Sequence, residues 1–144
     1  MNEPQFKIVE TLDDYLKVHA VRAIVFLHEQ HCPYDIEIDE YEQSSAHILV
    51  EQEGEPIGVG RIRFYADYAK LERIAVRKEW RGRGLGHQLV DFLMDYCKAK
   101  GFQKFRMHAQ AHLVDYYAQH GFVRRGELFI EAGIDHYLMI APGE

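Results

Sequence analysis

The segment LERIAVRKEWRGRGLG, residues 71–86, decides the fold of this chain. An apolar, strand-like run passes through a short charged turn into three glycines at alternate positions, from Gly82 to Gly86, and a helical pattern follows at once. A glycine-rich turn at the start of a helix directs several free backbone N–H groups at one point, where the helix dipole adds positive charge. Because Arg81 and Arg83 lie beside this point, the turn predicts a phosphate or pyrophosphate ligand.

Two common nucleotide motifs do not fit these glycines. A Walker loop requires G-x-x-x-x-G-K-[ST], and neither Lys-Ser nor Lys-Thr follows the turn. A dinucleotide fingerprint, G-x-G-x-x-G, would need its third glycine at His87 or at Leu89. A plain turn with basic solubilising residues is the remaining alternative, although three alternate glycines cost more conformational entropy than such a connector needs.

The motif R-G-R-G-L-G resembles the R/Q-x-x-G-x-G/A motif with which the GNAT superfamily of acyl-CoA-dependent N-acyltransferases binds the pyrophosphate of coenzyme A. The resemblance implies acetyl-CoA or coenzyme A as co-substrate and no metal. It assigns cofactor binding to Ile74, Ala75, Val76, Arg81, Gly82, Arg83, Gly84, Leu85 and Gly86. The first three would offer backbone groups to the pantetheine arm, and the N–H near Val76 would face the thioester oxygen.

Composition limits the class of protein. With 144 residues and 47% hydrophobic content, the chain is expected to form one domain over residues 1–144. Seventeen basic against twenty-three acidic residues give a net charge of −6, which disfavours a broad nucleic-acid-binding face. The acidic excess suits a cationic acceptor, and it is equally the ordinary charge of a soluble bacterial-type protein. Two cysteines, no export signal and no apolar span of membrane length predict a cytoplasmic protein that binds no membrane.

The order of predicted elements is β-α-β-β-β-α-β-α-β-β. Strands are expected at 5–10, 46–52, 57–65, 70–76, 102–109, 122–125 and 136–140. Helices are expected from Thr11, as N-cap, to Leu27, from Leu85 to Lys100, and at 111–121. The first helix would bury Leu12, Leu16, Ala20, Ile24 and Leu27, and a long functional loop would occupy 26–45. The helix after the glycines links two strands that would become parallel neighbours if they share an edge.

This α/β (α+β) order, with a mixed central sheet, is that of the GNAT fold. Five segments further resemble the ElaA-like branch of the superfamily, in the same order and over roughly two thirds of the chain. They are VFLHEQHCPYDIEID (25–39), AHILV (46–50), LERIAV (71–76), HAQAHLVDYYAQHGF (108–122) and EAGIDH (131–136). The resemblance does not define the natural acceptor.

The resemblance assigns the catalytic acid to Tyr117, the second aromatic of DYYAQHGF. A phenol with an ordinary pKa of about 10 is protonated at neutral pH and donates to a leaving thiolate. The alternative is that Tyr116 and Tyr117 are both packing aromatics of an amphipathic helix, and we expect that role for Tyr116.

Glu72 is the best single candidate for the base that accepts a proton from the attacking amine. Strand periodicity would place it on the same face as Ile74 and Val76, where half-burial would raise its pKa. The competing interpretation is a structural ion pair with Arg61 or Arg63 on the neighbouring strand. A third alternative is that the amine arrives deprotonated through a water chain, without any dedicated base.

The acceptor side is predicted to use Glu29, Asp39, His47, His108 and His136, which the branch resemblance selects. Carboxylates there would favour a cationic acceptor, whereas each histidine could instead be a satisfied structural residue. Metal binding by His28, His31 and Cys32 is disfavoured because no fourth ligand follows at a recognisable spacing. Metal binding by His108 and His112 is disfavoured because the pair straddles a predicted break between strand and helix.

The predicted function is therefore acetyl transfer from acetyl-CoA to a primary amine, on a small molecule, a protein lysine or a protein N-terminus. An acyl-homoserine-lactone synthase is one alternative, because that family shares the fold and a similar loop. A non-catalytic acyl-CoA-binding module is the other. A homodimer through the C-terminal strands is a further expectation, and no nucleic-acid partner is expected.

Overall fold

Seven strands form one mixed sheet in the order β1-β2-β3-β4-β5-β7-β6, in a computed structural model that describes residues 3–143. The strands are β1 (Gln5–Ile8), β2 (Ala46–Gln52), β3 (Glu55–Phe64), β4 (Ala69–Val76), β5 (Phe105–Gln110), β6 (Val123–Glu131) and β7 (Ile134–Ala141). The helices are α1 (Leu12–Arg22), α2 (Tyr34–Glu37), α3 (Leu85–Ala99) and α4 (Val114–Ala118). A π-helical segment (Ala23–Glu29) continues α1, and 3₁₀ turns occupy Lys78–Trp80 and Ala111–Leu113. The predicted domain boundaries at residues 1 and 144 lie outside the described residues.

The parallel contact predicted across the α3 crossover joins β4 to β5. Ala69 pairs with Phe105 and Lys70 pairs with Arg106, and the pairing of the two strands then stops. The other neighbouring strands of the sheet are antiparallel. Because β4 and β5 separate after two residue pairs, a gap opens through the middle of the sheet.

The sheet carries a hydrophobic core on each face. The larger core packs α3 and α4 against one face and includes Leu89, Leu93, Met107, Tyr117 and Phe122. The smaller core packs α1 against the other face, through residues such as Val18, Val21 and Val59. The helix α3 approaches closely at Gly60, where an added Cβ would lie 2.9 Å from Leu93 Cδ1, so the strand needs a glycine there.

Strand β4 contains a bulge at Arg73, whose φ of 52° is left-handed. The extra residue switches the alternation of side chains along the strand. Leu71 and Ile74 therefore both pack with the α3-side core, whereas Ala75 packs with the α1-side core. Glu72 pairs with Arg61, away from Ile74, so the prediction that Glu72, Ile74 and Val76 share a face is wrong.

The first helix begins as predicted, because Thr11 Oγ1 accepts a hydrogen bond of 3.1 Å from Asp14 N. Its predicted apolar stripe is wrong, since Leu12 is 72% exposed and Leu16 is 59% exposed. The buried stripe instead contains Val18, Val21 and Val25. The valines meet the sheet, and the leucines of the neighbouring stripe face away from it.

The C-terminal hairpin is longer than predicted. The sequence pattern predicts a loop over residues 126–135. Strands β6 and β7 instead occupy most of these residues, and a tight turn at Ala132 and Gly133 joins the strands. The break in the pattern is a bulge near Gly126, whose φ is 75°. Glu131 thereby becomes a strand residue paired with Ile134. No helix within residues 3–143 is long and apolar enough to cross a membrane.

Candidate active site

A cleft of about 360 Å³ lies where β4 and β5 separate. Its walls come from both strands, the 26–39 segment, the β6–β7 turn and α4. Six of the predicted site residues line it: Asp39, Glu72, Ile74, His108, Tyr117 and His136. The cleft connects the two faces of the sheet, because Tyr117 belongs to the α3-side core whereas Glu72 lies on the opposite face.

Tyr117 is a packing aromatic that also lines the cleft. Its side chain packs edge-on to Phe122, with ring centroids 6.4 Å apart, and the residue is only 7% exposed. The same residue lines the cleft. Burial, with a smaller contribution from Tyr116, raises the pKa of Tyr117 above its ordinary value. The phenol is therefore a proton donor, not a base, at neutral pH.

The glycine turn before α3 has the geometry of an anion site. Gly82 and Gly84 have φ values of 81° and 79°, which side chains rarely adopt. Gln88 N makes the first α3 hydrogen bond, to the Gly84 carbonyl at 3.1 Å, so the N–H groups before it point out of the helix. The first turn has no acidic residue that would repel an anion. Tyr116 Oη occupies the space that a Cβ on Gly86 would need.

The two arginines of the turn differ in their contacts. Arg81 donates to both Glu29 carboxylate oxygens, at 2.6 and 2.7 Å, and its Nε donates to the Val76 carbonyl at 2.8 Å. Arg83 is exposed and lies over the Trp80 ring at 5.3 Å. Glu29, predicted on the acceptor side, thus contacts the glycine turn and is absent from the cleft lining. The hydrogen bonds from Arg81 lower the pKa of Glu29.

Glu72 forms the ion pair that was the alternative to its role as base. Its Oε1 accepts from Arg61 Nη2 at 2.8 Å and from Arg61 Nε at 3.1 Å. Lys70 Nζ lies 3.6 Å from the other carboxylate oxygen, and Arg63 Nε lies 3.9 Å from Oε1. Both Glu72 carboxylate oxygens therefore have cationic side chains as neighbours.

Arg61 also connects Glu72 to the loop that covers the cleft. Its guanidinium contacts Asp39 at 2.8 Å and Glu42 at 3.1 Å, and its side chain is 1% exposed. Burial alone would raise the pKa of Asp39, but the hydrogen bonds from Arg61 and from Tyr41 N outweigh burial and lower it. The predicted acceptor residue Asp39 is therefore held as an anion in the cleft wall.

A second buried arginine completes this network. Arg22 donates from Nε to Glu37 at 2.7 Å and from Nη1 to Glu42 at 2.7 Å. Burial opposes the ionisation of Glu42, yet the bonds from Arg22 and Asp39 N lower its pKa to about 2. The network fixes the loop before β2 against α1 and the sheet.

His47 is a structural histidine in this arrangement. Its Nε2 lies 2.6 Å from the Glu42 carbonyl oxygen, its ring packs edge-on against Tyr15, and the residue is buried. Burial lowers its pKa, which favours the neutral ring. His47 does not line the cleft, so the structure does not bring it to the acceptor side.

His108 and His136 meet at a carboxylate that the sequence did not identify. His108 Nδ1 lies 2.9 Å from Glu131 Oε1, and His136 Nε2 lies 3.8 Å from Glu131 Oε2. All three residues line the cleft. The bond from His108 lowers the pKa of Glu131 against the effect of partial burial. The signal for Glu131 was present in the EAGIDH segment. Glu131 pairs with Ile134 across the tight turn, and His136 lies two positions further along β7.

A family model described as an acetyltransferase (GNAT) domain matches residues 12–141. The chain belongs to the GNAT acetyltransferases. The N-acetyltransferase YjcF of Bacillus subtilis is 40% identical over 121 residues, which cover 83% of this chain and 86% of YjcF. Escherichia coli ElaA is 27% identical with a TM-score of 0.86, covering 97% of this chain and 99% of ElaA. An acyl-CoA N-acyltransferase from Pseudomonas aeruginosa is also 27% identical with a TM-score of 0.86, covering 96% and 97%.

These likenesses confirm the predicted superfamily, the resemblance to ElaA and the mixed-sheet GNAT fold. The chain is accordingly an N-acetyltransferase of the GNAT type.

Proposed function

We propose that the chain transfers an acetyl group from acetyl-CoA to a primary amine, by direct attack within a ternary complex in the β4–β5 cleft. The observation that carries this proposal is the position of the cleft. It joins a buried tyrosine on the α3 side of the sheet to a group of carboxylates on the α1 side. Two substrates that enter from opposite faces would meet in the gap.

Acetyl-CoA would enter from the α3 side. The N–H groups at Gly82, Gly84 and Gly86 would receive the pyrophosphate, with exposed Arg83 as a charge partner and Arg81 anchored by Glu29. Past Lys70, the edge of β4 towards β5 has no strand partner in the described chain. The backbone of Ile74, Ala75 and Val76 is therefore available to pair with the pantetheine arm like an additional strand.

Tyr117 would be the acid of the reaction. When the amine nitrogen has attacked the thioester carbonyl carbon, collapse of the tetrahedral intermediate breaks the C–S bond and releases a thiolate. The buried phenol, kept protonated by its environment, supplies the proton that turns this thiolate into a thiol.

The acceptor would be a primary amine that carries a positive charge in solution. Asp39 and Glu72 line the α1 side of the cleft beside Arg61, and Glu131 adds a third carboxylate. A cationic amine, whether on a small molecule, a lysine side chain or an N-terminus, would be attracted to Glu131, because Arg61 binds Asp39 and Glu72 whereas Glu131 is paired with histidines.

The test is acetyl-CoA-dependent release of free thiol with a panel of alkyl amines, diamines and lysine peptides. We expect Tyr117→Phe to reduce kcat at least about 100-fold, the usual scale of a general acid, while the Kd for CoA measured by calorimetry stays unchanged. Tyr116→Phe on the same helix is the matched control and should retain most of the activity. Full activity in Tyr117→Phe, or no thiol release by the wild type with any acceptor, would refute the proposal.

A further inference from the structure

We infer that His108 and Glu131 form a dyad that accepts the proton of the incoming ammonium group, with the His136 ring packed beside the carboxylate. This inference rests on the proposed amine acetylation and adds the base and the docking point for the acceptor. It assigns the base to residues other than Glu72.

The strand register brings the three residues together. His108 pairs with Leu138 across β5 and β7, and Glu131 pairs with Ile134 across β6 and β7. Side chains opposite each other in an antiparallel pair share a face, and positions two apart along a strand share it too. His108, Glu131 and His136 consequently lie on one face of the sheet, at the wall of the cleft.

The hydrogen bonds define which nitrogen of His108 is basic. Glu131 Oε1 accepts at 2.9 Å from His108 Nδ1, and the lowered pKa of Glu131 keeps that oxygen an acceptor. The neutral imidazole then bears its proton on Nδ1 and a lone pair on Nε2. Within residues 3–143 the Nε2 atom has no hydrogen-bond partner, so it is available to a substrate.

His136 and Phe129 fix the geometry of this pair. His136 Nδ1 lies 2.6 Å from the Ile134 carbonyl oxygen, which leaves Nε2 directed towards Glu131 at 3.8 Å. Phe129 stacks on His136 with centroids 5.8 Å apart and meets His108 edge-on at 5.0 Å. The carboxylate is thus oriented by its bond to His108, and both imidazoles pack against one aromatic ring.

The other cleft carboxylates are committed to guanidinium groups. Asp39 and Glu72 are bound by Arg61, and Glu37 is bound by Arg22. Among the described residues Glu131 has no guanidinium partner; its ion pairs are with His108 and His136, and Lys70 acts on it at longer range. Its negative charge is therefore less neutralised than that of the arginine-bound carboxylates. A cationic amine would therefore be drawn to the His108–Glu131 pair, which is also the pair with a free basic atom.

The protons balance through two residues. His108 Nε2 takes one proton from the ammonium and leaves a neutral amine, whose lone pair forms the new N–C bond at the thioester carbonyl. Glu131 stabilises the imidazolium that results. When the C–S bond breaks, Tyr117 donates a proton to the sulfur, and the second proton lost by the amide nitrogen passes through solvent to restore the Tyr117 phenol. The imidazolium returns its proton to solvent, so the net products are amide, thiol and one proton.

The first experiment measures the tautomer of His108 in the absence of catalysis. Long-range ¹H–¹⁵N NMR of the CoA-saturated protein at pH 7.5 should show His108 with its proton on Nδ1 and a lone pair on Nε2. Glu131→Gln should remove that preference, whereas Glu127→Gln, an exposed carboxylate on the same strand, should leave it unchanged. A proton on Nε2 in the wild type, or the same tautomer in Glu131→Gln, would overturn the inference.

The second experiment measures the rate of acetyl transfer and its pH dependence. We expect His108→Gln and Glu131→Gln each to lower kcat/KM by about 100-fold or more, and the double variant to lose no more than the worse single variant, because the two residues act as one unit. The rise of kcat/KM with pH, which a base produces, should disappear in His108→Gln. Unchanged activity and pH profile in both single variants, with Tyr117→Phe inactive, would overturn the dyad but leave the proposed function standing. If the wild type acetylates no amine, the proposed function fails and the NMR result still decides the dyad.

Discussion

Replacing Arg61 by methionine removes the charge that joins the cleft loop to the sheet. The guanidinium is 1% exposed and contacts three carboxylates: Asp39 at 2.8 Å, Glu42 at 3.1 Å and Glu72 at 2.8 Å. Arg22 and Arg73 still neutralise part of this negative charge after the substitution, but Glu72 would keep only Lys70 and Arg63 at 3.6 and 3.9 Å.

Removing one partner of a buried ionic network leaves uncompensated charge, which typically costs about 3–5 kcal/mol. We therefore expect Arg61→Met to lower the free energy of unfolding by about 4 kcal/mol at pH 7.5. For a domain of this size that corresponds to a fall in Tm of roughly 8–16 °C. The loss should shrink at pH 4.5, because the abandoned carboxylates can then bind protons.

Urea unfolding followed by far-ultraviolet circular dichroism at the two pH values measures both effects. Arg63→Met is the control, since Arg63 stacks over the Tyr41 ring at 3.4 Å and lies 3.9 Å from Glu72, beyond hydrogen-bond distance. Its loss should cost less than about 1 kcal/mol. A loss below about 1 kcal/mol for Arg61→Met, or a loss that does not depend on pH, would refute the argument.

Two further predictions follow from the site. The pKa of Glu42 is about 2 in the folded chain against about 4.5 in its ordinary state, so its contribution to stability is complete above pH 4.5 and is lost as the pH falls towards 2. Acid titration by circular dichroism should show stability decreasing in that window, and a constant free energy of unfolding there would contradict it. At the glycine turn, Gly86→Ala should weaken CoA binding about tenfold, because Tyr116 Oη fills the space of the new methyl group. Adding Tyr116→Phe should restore most of the affinity in calorimetry, and an unimproved Kd would exclude this cause.

The sequence predicted the fold well where local chemistry determines it. Alternate glycines followed by a helical pattern predicted the turn before α3, and the crossover predicted the parallel contact of β4 with β5. The cap at Thr11 is likewise a local interaction with Asp14, three residues away. The turn and the cap depend on residues that are neighbours in the chain, and the β4–β5 contact follows from the single helical crossover between the two strands.

The predictions are wrong where contacts between distant parts of the chain determine which side chains are buried. In α1 the leucines and the valines both have helical spacing, and only the position of the sheet selects Val18 and Val21 for burial. The bulge at Arg73 lies opposite Gly60, which α3 approaches closely. The side of the sheet on which Glu72 lies therefore depends on β3, β4 and α3 together.

Glu131 shows the same limit within the site. A glycine bulge interrupts β6, and the sequence pattern then reads as a loop up to the tight turn. The carboxylate acquires its role only when the register of β5, β6 and β7 brings it to His108, which is 23 residues earlier in the chain. Because the bulge interrupts the alternating pattern of β6, the sequence alone does not predict the contact between Glu131 and His108.

A crystal structure with CoA bound tests the central claim most directly, because it places the thiol relative to both faces of the sheet. We predict that the pyrophosphate binds the N–H groups of the turn from Gly82 to Gly86, and that the pantetheine arm follows Ile74 to Val76. The sulfur should then lie in the β4–β5 gap within hydrogen-bond reach of Tyr117 Oη, with His108 across the cleft. A pyrophosphate bound away from the glycine turn, or a sulfur outside the gap, would contradict the proposed route of acyl transfer.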